Sequence, residues 1–328
     1  MREEKPLKQA RLNNIATKLF DEQLKVWDTC RNNYASLALV ESKEFTLAGE
    51  KFIAQLNPAR AASTKAKTDS VSIAERPCFL CDENRPDQQL SLALTDYKVL
   101  VNPFPVFSRH YTIVSRRHKL QSIFDNFNDM LALSESLGKD YFVFYNGPKA
   151  GASAPDHLHF QAGTCSEIPL LNPKINLRSK SIAHCRVEGT SLLYFPEDGI
   201  RRFIVFEGED KSSLIKIFKY IYKTYAKLSG SESEEPLLNI IITANYEKPG
   251  FRVIIIPRAK HRPDAYFAKP SLQVTFSPAS VDLAGLCIFP EKKDFDNLTD
   301  RQLSKMISEV CLTEELFRDL MNTICAGY

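Results

Sequence analysis

The sequence predicts an α+β fold made of two similar halves, each an antiparallel sheet with helices packed on it. Three observations point there. At 328 residues the chain exceeds what one small core needs. Runs rich in β-branched and aromatic residues recur along both halves. In each half a helix-like segment separates such runs, so that a strand, strand, helix, strand, strand order repeats. The halves are expected at residues 1–170 and 171–328.

Taken in order, residues 13–40 place Ile15, Leu19, Phe20, Leu24 and Trp27 at helical spacing, and FTLAGEKFIAQLNP reads as two short strands about a Gly turn. A linker-like stretch follows at 61–70. YKVLVNPFPV (97–106), RHYTIVSRRH (109–118) and YFVFYNGP (141–148) read as strands, with a helix-like segment near 120–137 before the last. In the second half LLYFPEDGIRRFIVFEGE supplies two strands and KSSLIKIFKYIYKTYAKLSG a helix. GSESEEP (230–236) is a second linker-like stretch, and LLNIIITANYEKPGFRVIIIPRAKH supplies the last strand pair.

Composition narrows the function classes. Forty-three Lys and Arg against 40 Asp and Glu give a net charge of +3, too balanced for a nucleic-acid coat or a membrane-surface protein, so any anion site must be local. The N-terminal segment is charged, with no apolar signal core, and no run approaches the length of a spanning helix. A cytoplasmic protein is expected. Eight cysteines in a chain of this length do not form a disulfide framework, and reduced thiols with one candidate metal clip, Cys78 and Cys81, are expected.

The chemistry-bearing segment is YNGPKAGASAPDHLHFQAG, residues 145–163. Asn146 ends an aromatic-rich strand; Gly147, Gly151, Ala152 and Ser153 form a small-residue loop; then come His157, His159 and Gln161. On an extended strand these three share one face, with Leu158 and Phe160 turned to the core. A strip of two imidazoles and an amide has an ordinary reading as hydrogen-bonded side chains on a half-exposed strand. The loop favours a sharper one. Small residues let backbone N–H groups approach phosphate oxygens, and Ser153 adds a hydroxyl, which together with a neutral imidazole is what nucleophilic attack on phosphorus requires.

Gly-Ala-Ser-x-x-x-His-x-His-x-Gln resembles the active-site signature of the galactose-1-phosphate uridylyltransferase branch of the histidine-triad superfamily, which includes dinucleoside tetraphosphate phosphorylases and GDP-hexose phosphorylases. The resemblance implies a duplicated histidine-triad-like fold. It also implies a covalent nucleotidyl intermediate on His159, phosphate contacts from Gln161, Ser153 and Gly151, and a nucleotide near Asn146. NPFPV (102–106) stands where relatives place a loop against the nucleotide, with Asn102 at the ribose. Residues 51–67, 251–266 and 277–310 are similar to segments of GDP-hexose phosphorylases. Arg60, Lys65 and Lys67 are candidate phosphate contacts, and equally read as a solvated basic loop. His261 reads as a sugar-phosphate contact or a surface histidine, and His110 as packing beneath the nucleotide or in the core.

Cys78 and Cys81 match a zinc half-site, with plain buried thiols and a redox pair as the other readings. In uridylyltransferases such a pair is completed by residues matching His118 and His157 here. A structural zinc is therefore expected on Cys78, Cys81, His118 and His157. The pair is a uridylyltransferase feature that the phosphorylases generally do without.

The expected substrates are a nucleotide sugar, GDP-hexose preferred, or a dinucleoside polyphosphate, with phosphate as acceptor. No nucleic-acid or membrane partner is expected, and a homodimer stays open. Gln161 favours transfer over hydrolysis, because an amide cannot act as a general acid near neutral pH. A non-catalytic nucleotide-binding module is the alternative of another class.

Overall fold

The computed structural model describes residues 10–66, 69–187, 191–245 and 249–328. Helices α1 (Ala10–Val26) and α2 (Asp28–Leu37) open it, broken where Trp27 turns extended (φ −131°, ψ 100°), so the periodicity read across 13–40 resolves into two helices. β1 (Ser42–Leu47) and β2 (Glu50–Leu56) pair antiparallel about the expected Gly turn. Ala48 (φ 49°) and Gly49 (φ 82°) are both left-handed there, as the tight hairpin turn matching strand twist requires. β13 (Leu286–Phe289) joins β2 in parallel to complete a small sheet.

The main sheet has ten strands: β3 (Ser91–Ala93), β4 (Tyr97–Val101), β5 (Tyr111–Ser115), β6 (Tyr141–Asn146), β7 (His159–Thr164), β8 (Ser181–Arg186), β9 (Leu192–Pro196), β10 (Ile204–Gly208), β11 (Leu238–Ala244) and β12 (Phe251–Pro257). Their order is β3-β4-β5-β7-β6-β11-β12-β10-β9-β8. From its outer edge each wing runs through three successive strands, then places its fifth strand inside and its fourth at the seam. Of the remaining helices α3 (Ala61–Thr64), α4 (Ser70–Ala74), α5 (Phe127–Leu137), α6 (Lys211–Leu228), α7 (Ser280–Leu283), α8 (Lys292–Asp296), α9 (Asp300–Val310) and α10 (Glu314–Ala326), α5 and α6 sit at the same point of the two wings, before the fourth strand. The duplication is thus present, but the two sheets are fused: β6 pairs with β11 from Asn146↔Asn239 to Phe142↔Thr243. β3 and β8, which the sequence pattern did not announce, are the outer edges.

Alternation along the strands sends Val143, Tyr145, Leu158, Phe160 and Ala162 into a core under α1, α5, α6 and α10. Phe127 and Phe218 stack there at 3.9 Å, joining α5 to α6. Phe142, Phe144, Ile241 and Ile254 face the other way, into a second core built with β1, β2, β13 and α9. No helix among the described residues is long and apolar enough to cross a membrane.

The expectation of wholly reduced thiols is corrected: Cys185 on β8 and Cys325 on α10 form a disulfide with Cα atoms 6.1 Å apart. They lie 140 residues apart in sequence, a separation that carries no local signal.

The wings also share a buried carboxyl. Glu235, just before β11, accepts from the Tyr145 hydroxyl at 2.7 Å and from the Ile123 N–H at 2.8 Å. Burial raises its pKa from 4.5 to about 7. Between those values the native state holds a proton that the unfolded chain has lost, so stability falls as pH rises through that window. Glu235→Gln is expected to flatten this slope, measured as urea midpoints across the same pH range.

Candidate active site

The face of the main sheet opposite α5 carries a cavity of about 470 Å³. His159 and Gln161 line it from β7, Phe144 and Asn146 from β6, and Thr112 from β5. Leu158 and Phe160 lie fully buried beneath, as strand alternation requires. β7 begins only at His159, so His157 stands just outside the strand and turns away from the cavity.

His159 is 4% exposed. Its Nδ1 lies 2.8 Å from the His157 carbonyl, which can only accept, so the proton sits on Nδ1 and the Nε2 lone pair is left free. Burial is the main force lowering its pKa to about 4. Gln161 has its Oε1 2.9 Å from His110 Nε2, a contact that makes His110 the donor and leaves the Gln161 NH2 group as donor toward the cavity. His110 is also neutral: burial first, then Arg60, brings its pKa to about 3. It packs edge-on against Phe107 at 5.0 Å, beneath the cavity wall.

Asn146 is oriented from the second wing. Its Oδ1 accepts from Asn239 Nδ2 (3.0 Å), from the Ser280 N–H (3.0 Å) and from the Ser280 hydroxyl (2.6 Å), which turns its NH2 toward the cavity. Asn239 is held in turn by Arg258 Nη1 at 2.6 Å and donates to the Ala150 carbonyl at 2.8 Å. The small-residue loop needs its glycines. Gly151 has φ +102°, and a Cβ there would lie 2.6 Å from Ala279 Cβ; a Cβ on Gly147 would meet the Leu238 carbonyl at 2.8 Å.

Cys78, Cys81, His118 and His157 converge with their donor atoms within 4.8 Å of one another. His157 Nδ1 lies 3.3 Å from Cys78 Sγ and 3.6 Å from Cys81 Sγ, and His118 Nδ1 lies 3.2 Å from Cys81 Sγ. A tetrahedral ion with bonds of roughly 2.0–2.3 Å separates its ligands by about 3.3–3.8 Å, close to these three contacts. His157 Nε2 lies 2.8 Å from the Ser115 carbonyl, which fixes the tautomer whose Nδ1 lone pair faces the sulfurs. These four residues could hold a transition metal. Arg76, paired with Asp156 at 2.6 Å, ties the cysteine segment to the loop before His157.

The other candidates divide. Gly151, Ser153, Asn102 and Arg60 line the cavity. Asn102 Nδ2 donates to Thr112 Oγ1 at 3.1 Å, and Arg60 Nη1 to the Phe104 carbonyl at 2.9 Å. Lys65 does not join them: it is exposed and paired with Glu291 at 2.5 Å, while its neighbours Thr64 and Ala66 reach the cavity. Lys67 lies outside the described residues. His261 lines the cavity and is not a free surface histidine; burial, then Arg262 and Arg258, lower its pKa to about 3.

Sequence reasoning missed Trp27, Asp282 and the closing role of Arg262. Arg262 donates to the Thr64 and Ala66 carbonyls at 3.2 Å and lies 4.2 Å over the Tyr266 ring. Trp27 had been read only as one more position on a helix face.

Residues 19–164 match a family model described as a domain of unknown function, DUF4922, and residues 181–328 match the GDPGP1-like C-terminal domain. The fold is similar to that of yeast Ap4A phosphorylase Apa2. Its crystal structure in complex with Ap4A gives a TM-score of 0.59 at 18% identity, covering 91% of this chain and 97% of that one. A second crystal structure of the yeast protein gives 0.52 at 16% identity, covering 87% and 94%. No curated protein sequence is matched significantly. The class is therefore a two-winged histidine-triad-like fold. Within that fold, residues 181–328 are similar to the GDPGP1-like C-terminal domain.

Proposed function

We propose that the protein is a nucleotide phosphorylase or transferase that works through a covalent nucleotide on His159, and that residues 1–170 and 171–328 act as its catalytic and supporting halves. The observation that carries this reading is the free, neutral Nε2 of His159 in a cavity beside two amide groups turned to donate, those of Gln161 and Asn146.

In the first step His159 Nε2 attacks the α-phosphorus of the substrate. A P–N bond forms, and the P–O bond to the leaving phosphate or sugar phosphate breaks, with the electron pair staying on the departing oxygen. The Nδ1 proton stays on the ring, donated to the His157 carbonyl, throughout. Gln161, Asn146, Ser153 and the Gly151 N–H, all from residues lining the cavity, would donate to the phosphoryl oxygens. In the second step a phosphate oxygen attacks the same phosphorus, the P–N bond breaks, and the imidazole returns to its neutral form. A departing phosphate needs no protonation, which suits the amide at Gln161.

Trp27, Phe79, Leu80 and Leu100 line the cavity and would give a nucleobase apolar surface, with its ribose near Asn102. Arg60, Arg262 and His261 line the cavity as well and suit the remaining phosphates.

GDP-hexose is the preferred substrate because three segments resemble GDP-hexose phosphorylases and the C-terminal domain is GDPGP1-like. The likeness to a yeast enzyme crystallised with Ap4A keeps a dinucleoside polyphosphate as the second reading. A binding module without catalysis would bind GDP and exchange nothing. We further propose that the metal is zinc, structural, and that it holds His157 and with it the backbone leading to His159. The setting is taken as cytoplasmic.

Incubation with substrate labelled at the α-phosphate should leave acid-labile, base-stable label on the protein and none on His159→Ala. Equal labelling of that variant would sink the assignment. Gln161→Ala should slow transfer by roughly 10²–10³, the scale for losing one positioned donor. Metal analysis should give about one zinc per chain, with Cys78→Ser lowering both zinc content and melting temperature. A metal-free, fully active protein would show that the cysteines only pack.

A further inference from the structure

The β6–β7 ladder stops short, and one side chain fills the gap. Its register pairs Phe144 with Gln161, so two steps further along Asn146 would pair with His159. That pair is not made. β6 stays with β11 through Asn146↔Asn239, and β7 stays with β5 through Val114↔His159, so the strands part as they reach the cavity. The fork strips ladder partners from the Asn146 carbonyl and from the N–H and carbonyl of His159, all buried.

The amide of Gln121 supplies all three. Its Nε2 donates to the Asn146 carbonyl at 3.0 Å and to the His159 carbonyl at 3.1 Å, and its Oε1 accepts the His159 N–H at 2.9 Å. Gln121 is 4% exposed. Its segment is tied to the same loop: the Gln121 N–H donates to the Pro155 carbonyl at 2.9 Å, and the Leu158 N–H donates to the Lys119 carbonyl at 2.7 Å. A primary amide resembles a peptide group, and here it replaces the missing strand without closing the fork.

We propose that Gln121 is a positioning residue for nucleotide transfer: it keeps the β6–β7 fork open for the phosphate and fixes the peptide from which His159 projects. The inference rests on His159 as the nucleophile. The imidazole is already held at Nδ1 by the His157 carbonyl, so the remaining freedom in its Nε2 direction is that of the His159 backbone. On the side facing β6, that backbone bonds to Gln121. An ångström of misplacement at a reacting atom costs about 10²-fold in rate.

The test is single-turnover labelling of the full chain with GDP-glucose or Ap4A carrying α-phosphate label, alongside GDP affinity by calorimetry and thermal melting. Gln121→Met keeps the volume and removes the three hydrogen bonds. It should lower the labelling rate about 10²-fold while GDP affinity changes little. Gln121→Glu gives a signature that a space-filling role would not. Its carboxylate faces two carbonyls, whereas the protonated acid can donate to one and accept from the His159 N–H. Its labelling rate relative to the parent should therefore climb as pH falls. Parent-like labelling by Gln121→Met, or a parallel fall of rate, affinity and melting temperature with no such pH signature, would overturn the proposal and leave His159 standing. Absence of label on His159 in the parent protein would overturn both.

Discussion

The seam between β6 and β11 is the constraint on which the site depends. A buried polar group costs roughly 1–3 kcal/mol when unpaired, so two amides inside a fused sheet persist only with their partners in place. Arg258, Asn239, Asn146 and Ser280 satisfy one another in a single chain of bonds across that seam. The by-product is functional. With its oxygen committed to the second wing, the Asn146 amide presents its NH2 to the cavity, and Asn239 also clasps the Ala150 carbonyl inside the small-residue loop. The demand that seals the sheet thereby shapes the mouth of the fork.

The site's electrostatics follow from the same burial. His159, His110 and His261 are all driven toward neutrality by desolvation, so the cavity gains no charge from its imidazoles near neutral pH. Its fixed cations are the guanidiniums of Arg60 and Arg262, both lining the cavity. In a protein of net charge +3, the proposed anion site would thus rest on two local guanidiniums. Near His159 itself the groups available to phosphate are amide and hydroxyl donors, which leave the imidazole's lone pair uncompromised by a neighbouring side-chain proton.

Much of this was legible in the sequence where the signal is local. Alternation over residues 157–161 separated His159 and Gln161 from Leu158 and Phe160, and the glycines at 147 and 151 marked the tight loop. The Cys-x-x-Cys spacing exposed half of the metal cluster, and family resemblance named His118 and His157. What stayed hidden depends on long-range pairing. Asn239 and Arg258 look like ordinary polar residues at the ends of apolar strands, although both are almost fully buried. Gln121 fell in a segment read as helical from near 120, yet α5 starts only at Phe127. Lys65 shared the composition of a phosphate loop but found a carboxylate nearer than the cavity.

The duplication also bears on the proposal that one wing carries the chemistry. By position, β12 is the counterpart of β7, and on the sheet face that His159 and Gln161 share it presents Arg252 and Ile254. Arg252 is paired with Glu207 at 2.7 Å and Ile254 is buried, so neither offers a nucleophile. The segment joining β6 to β7 spans residues 147–158, whereas its counterpart between β11 and β12 spans only 245–250. A short hairpin keeps β11 and β12 paired to their ends, from Leu238↔Pro257 to Ala244↔Phe251, so no fork opens there. The second wing contributes at its opposite end, where the chain leaving β12 delivers His261 and Arg262 to the first wing's cavity and Arg258 to Asn239. On the proposed reading the first wing holds the site and the second supports it, and the short hairpin accounts for the difference.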